Sequence, residues 1–170
     1  LTAGHLSVLQ QPPAVDVQWA GNWGQHFSRD ANCSSGRSDI VEPVDIDIWV
    51  VEMAACRQIL AEVWAPEHTN VDGSDSSLIQ AQIIRWPIND GGERGEQRIH
   101  ELSFYGRVGN NHEFRWDLPF EDLQEPANLN WEFYFRFSGD QGQTWYQIGQ
   151  DDGPEGGEAR TMIYSFAQEQ

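Results

Sequence analysis

Trp19, Asn22, Trp23 and Gln25 stand within one short stretch and form the group in this chain best suited to recognising a neutral ligand. A sugar ring offers apolar C–H faces that stack on an indole, and neighbouring amides read its hydroxyls. Trp49, Trp64, Tyr134 and Tyr146 occupy outward registers of the strands expected below and extend the same aromatic supply. Three destinations are open to such rings: a sugar platform, an interface between subunits, or packing beneath long loops. A second group, Asn70, Asp72 and Asp75, gathers oxygen ligands in one glycine-containing loop, where Ca²⁺ is the one cofactor the residue types suit. Its spacing is not that of an EF-hand, and a solvated polar loop accounts for it more simply.

Catalytic signatures are missing. With 27 Asp and Glu residues a pair of carboxylates can always be nominated for glycoside hydrolysis, so nomination decides nothing. There is no Gly-x-Ser-x-Gly turn for a serine nucleophile, and the five histidines follow no ligand spacing. The chain therefore reads as a non-enzyme. Cys33 and Cys56, the only two cysteines, are expected to pair in a disulfide, closing a loop whose restraint is worth about 3 kcal/mol.

Charge narrows the partners. The formal net charge is -17, and every one of the 10 basic residues is Arg. Such a surface repels nucleic acid and anionic membranes. No run of 18 apolar residues exists to span a bilayer. Acid enrichment without lysine suits a highly soluble exported protein, with adaptation to salt as the lesser alternative. A cysteine pair within a β-rich pattern points to export, to the cell surface or beyond. Leu1–Gln11 does not itself have the make-up of a signal peptide.

The elements that must position these residues read as strands. From Trp131 to Phe137 apolar residues alternate strictly with Glu132, Tyr134 and Arg136, the period-two pattern of a strand with one buried face. Ser138–Trp145 then fits Ser-x-Asp-x-Gly-x-Thr-Trp at every fixed position. This stretch resembles an Asp-box, the hairpin motif of sialidases and many other secreted β-proteins. The resemblance covers these eight residues and implies a structural hairpin lying away from any catalytic centre. Its spelling has a physical basis: Asp140 can accept N–H bonds of its own turn, Gly142 can take the positive φ that closes it, and Trp145 can fold back as an anchor.

Elsewhere, short strands are expected at 15–19, 44–53, 58–64, 78–86, 97–108, 112–118 and 161–167, with a long irregular connection over 20–43. About nine strands and no long amphipathic helix predict a single domain over residues 1–170. Its class is all-β: an antiparallel β-sandwich, jelly-roll or immunoglobulin-like in its connections. The functional expectation is a secreted, non-catalytic module that binds carbohydrate. The alternative is a self-associating subunit of a surface layer, filament or shell.

Overall fold

A computed structural model of the chain describes residues 14–28, 30, 32, 45–47, 55–117, 130–148 and 160–165. Ten strands run through them: β1 (Trp19–Ser28), β2 (Asp45–Asp47), β3 (Cys56–Trp64), β4 (Gln80–Ile88), β5 (Arg98–Glu101), β6 (Ser103–Val108), β7 (Asn111–Asp117), β8 (Asn130–Ser138), β9 (Tyr146–Ile148) and β10 (Arg160–Ser165). Among the described residues the helical content is one 3₁₀ turn, Ser76–Leu78. No helix among the described residues is long and apolar enough to cross a membrane.

Two sheets form. The first has the order β1-β3-β7-β6; the second has the order β2-β10-β8-β4-β5, with β9 paired to β8. Every pairing is antiparallel except β10 with β2, which is parallel.

The alternation of β8 supplies the floor of the core. Phe133, Phe135 and Phe137 are fully buried, and burying each ring is worth about 1.5–3 kcal/mol. They meet the facing sheet through Trp23, 5.7 Å from Phe133, and Phe114, 6.1 Å from Phe137. Ile59, Ala61 and Val63 of β3 and Ala81 and Ile83 of β4 complete the layer between the sheets. The result is all-β and sandwich-like.

Three departures from period-two reading shape the molecule. First, the irregular connection expected from residue 20 is strand as far as Ser28, and 14–18 is not a strand. Second, β1 carries a bulge: Gly21 pairs with Glu62 but Gly24 with Leu60, and Asn22 sits at φ 47°. One extra residue there flips the facing of everything that follows. Third, the expected long strand over 97–108 is two. Leu102 turns inward, donates its N–H to Ala81 O at 2.8 Å, and hands the chain from the second sheet to the first.

The lead-in to β1 crosses the hairpin turn that follows β8. Val15 N donates to Gly139 O at 2.8 Å, and a Cβ on Gly139 would stand 1.8 Å from Val15 O. Only glycine fits that crossing. Cys56 is buried at the start of β3, and no described cysteine is a free thiol. Cys33 lies outside the described residues, as does most of the strand expected over 44–53.

Candidate binding site

The turn after β8 behaves as its residue types dictate. Asp140 accepts from Thr144 N at 2.8 Å, Thr144 Oγ1 at 2.5 Å and Ser138 Oγ at 2.7 Å, and Gly142 takes φ 84°. The Trp145 indole lies 3.2 Å from where a Gly142 Cβ would be, with the Arg136 guanidinium 4.1 Å above its ring. These bonds, led by the Thr144 hydroxyl and N–H, lower the Asp140 pKa from 3.8 to about 2. The native carboxylate thus holds its proton less tightly than the unfolded one. The associated stability is present above about pH 4 and is lost as pH falls toward 2. Asp140→Asn is expected to melt at a lower temperature than wild type at pH 7, with the gap closing between pH 4 and pH 2. Superimposable melts across that range would show that the turn does not depend on the carboxylate.

Two cavities, of about 400 and 670 Å³, flank this turn and share Ala14, Gly139 and Asp140. Both are larger than the pocket described next, yet Asp140 is committed to its own turn and Trp145 is capped by Arg136. A shallower, solvent-open cavity of about 300 Å³ lies on the outer face of the first sheet, between Trp19, Trp64, Asn110 and Asn111. It has the better chemistry for a neutral ligand, with two aromatic rings and two amides on one surface.

Sheet geometry assembles this pocket. Trp19 and Trp64 are register partners on β1 and β3. A Cβ on Gly21 would stand 2.5 Å from Trp19 Cζ2, so the six-membered ring of Trp19 lies over that glycine. Both tryptophans are half-buried. Asn110 and Asn111 come from the β6–β7 turn, where Gly109 takes φ 60°.

Behind the pocket, on the same outer face, runs a buried polar network. Glu62 and Glu113 are cross-strand partners, and both carboxylates are withdrawn from solvent. The side-chain amide of Asn22 donates to Glu62. Arg115 donates to Gln58 Oε1 at 2.6 Å and to Glu113 Oε2 at 3.2 Å, and its Nη1 lies 3.2 Å from His26 Nδ1. Its guanidinium stacks 3.4 Å from the Tyr105 ring.

The sequence-derived candidates divide accordingly. Trp19 is in the pocket, and Asn22 is exposed beside it with its amide turned to Glu62. Trp23 is a correction: it is 4% exposed and packed on Phe133 and Phe135, so it offers no open ring face. The β1 bulge is the reason. Gln25 pairs with Ile59 along the backbone, its side chain outside the described residues together with Trp49.

Asn70, Asp72 and Asp75 are all exposed. Asp72 is ion-paired with Arg107, and Asp75 accepts from Ser77 N at 3.0 Å and Ser77 Oγ at 2.6 Å. Among the described residues no group of three or more His, Cys, Asp or Glu could hold a metal. Asn110, Asn111 and the Glu62–Glu113–Arg115 network were missed. The asparagines read only as turn residues, and charges alternating with Phe114 and Trp116 read as a solvated face.

No protein-family model matches the chain, and no curated protein or solved structure is significantly similar to it.

Proposed function

We propose that this chain is a secreted, non-catalytic carbohydrate-binding module whose sugar site is the Trp19–Trp64 pocket. One observation supports the reading above all: two register-paired indoles flank an open cavity of about 300 Å³ edged by two asparagines. Stacking needs an accessible ring face, and hydroxyl recognition needs amides that both donate and accept. The pocket supplies both without a charge, as a neutral ligand requires. Export, a Cys33–Cys56 bridge and the Asp-box-like hairpin belong to the same reading.

Binding of a neutral glycan displaces no counterions, so affinity should hardly change between low and high salt. Trp64→Ala is expected to keep the melting temperature within a few degrees, because the ring caps an outer face rather than filling the core. It should lose about five- to thirtyfold in affinity on a glycan array, one stacking contact being worth about 1–2 kcal/mol. A wild-type protein that binds no glycan, or a Trp64→Ala variant that binds equally well, would overturn the proposal.

A second reading has its own support. Ile99, Phe104 and Tyr105 are exposed along β5 and β6, the edge strands through which the chain passes from one sheet to the other. Unpaired strand edges with exposed apolar residues are assembly devices. Mass measurement over a range of concentrations separates the two: a monomer throughout favours the module, and large oligomers favour the subunit.

A further inference from the structure

We propose that His112, packed on His68, is an acid-operated latch: neutral, it holds the 66–75 loop closed against the sheet, and protonated, it releases the loop together with the Asn110–Asn111 turn. The consequence for ligand release rests on the sugar-pocket reading; the latch itself does not.

His112 lies on β7 opposite Val63, facing inward, and is 2% exposed. Its ring packs 4.9 Å from Phe104 and 5.5 Å from His68. Nε2 meets Ser74 Oγ at 3.3 Å, while Nδ1 is buried without a hydrogen-bond partner. His68 Nε2 is likewise buried and without a partner. A neutral imidazole needs only one donor satisfied, whereas an imidazolium carries two N–H groups that both need acceptors.

Among the described residues the surroundings offer no compensating carboxylate to His112. Arg107 on β6 is a cation, and the loop carboxylate Asp72 is spent on it. Asp75 bears on His68 but is engaged by Ser77. Glu62 and Glu113 belong to the opposite face of the sheet, by the alternation of β3 and β7. Burial, then His68, then Arg107 lower the pKa of His112 from its ordinary 6.5.

The loop is tied to the sheet through Asp72 to Arg107, Ser74 to His112 and Thr69 to Asn110. Thr69 is its buried anchor: Oγ1 accepts from Ala65 N at 3.0 Å and donates to Asn110 O at 2.7 Å. Asn110 is a wall of the Trp19–Trp64 pocket. Charging the His112 imidazole beneath the loop therefore loosens both the loop and one wall of the pocket.

The sign follows from proton counting. The closed form binds fewer protons at His112 than the open form, so opening is disfavoured above the open-state value of 6.5 and grows as pH falls below it. One proton multiplies the opening constant by up to roughly tenfold per pH unit, until the closed form itself titrates.

Hydrogen-exchange mass spectrometry on the full chain at pH 7.5 and pH 5.0, corrected for the intrinsic rate, tests the latch. Peptides over 66–75 and 109–111 should lose about tenfold in protection at pH 5.0, while β8 stays protected. His112→Phe keeps the ring stack and cannot titrate, and should hold the loop closed at both values. His68→Gln, at a less buried position, should reduce the pH response and serves if His112→Phe does not fold. Equal wild-type protection at both values overturns the proposal, as does a pH response undiminished in the variants. On a glycan array, a ligand retained at pH 7.5 and released at pH 5.0 supports it. Absence of binding at both values sinks the sugar reading alone, and the exchange result then decides the latch.

Discussion

Trp23→Ala should cost about 3–5 kcal/mol of stability, the range for truncating a buried aromatic side chain to alanine. The indole is 4% exposed, edge-on to Phe133 at 5.7 Å and tilted against Phe135 at 6.4 Å. It therefore joins β1 of one sheet to β8 of the other. Truncation removes that bridge and leaves a cavity between the sheets, where neither backbone can collapse without breaking its ladder. A urea titration should show a lower midpoint with an unchanged slope. Trp23→Phe, which keeps a ring in place, should recover part of the loss. If Trp23→Ala instead unfolds like wild type and loses only sugar binding, the ring faces solvent and this account of β1 is wrong.

The contrast between Trp19 and Trp23 marks where sequence reading stops. Both have the same parity, so simple alternation sends them to the same face, and both seemed equally fit to stack on a sugar. The extra residue between Gly21 and Gly24 separates them. A bulge needs a backbone able to make it, and Ala-Gly-Asn-Trp-Gly offers glycine and asparagine, but nothing in the spelling says in which pairing the slip occurs. The same limit applies to 97–108, where a break at Leu102 divides one apparent strand between two sheets. Patterns that depended on a single uninterrupted strand were legible: Phe133, Phe135 and Phe137 are all core, and the Ile59-Ala61-Val63 register is inward as alternation requires.

Chemistry was legible only where it was local. The Asp140–Gly142 turn could be anticipated because its donors and acceptors lie within a few residues of each other. Trp64 was visible as an outward ring. Its pocket was not, because Trp19 reaches it through strand pairing and Asn110–Asn111 through a turn far along the chain. Long-range register, rather than composition, decides such a site.

The buried network on the same face makes the last prediction. Arg115→Ala is expected to destabilise the fold by about 3–5 kcal/mol, the cost of leaving one charge of a buried pair without its partner. The side chains of Arg115 and Glu113 are 5% and 2% exposed and lie 3.2 Å apart. Removing the guanidinium also strips Gln58 of its donor and leaves Tyr105 without the group stacked on it. Desolvation has already been imposed on Glu113 by the fold, so the carboxylate cannot recover its hydration unless the sheet opens. Replacing both members together should cost much less. Arg115→Met with Glu113→Gln removes both charges while retaining much of the side-chain volume, and a double-mutant cycle in urea should give a coupling above about 1 kcal/mol. Near-additive losses in that cycle would mean that Arg115 acts through Gln58, His26 and Tyr105 rather than through Glu113. Because the pair is buried, the single-variant loss should persist at high salt, whereas a surface ion pair would be screened.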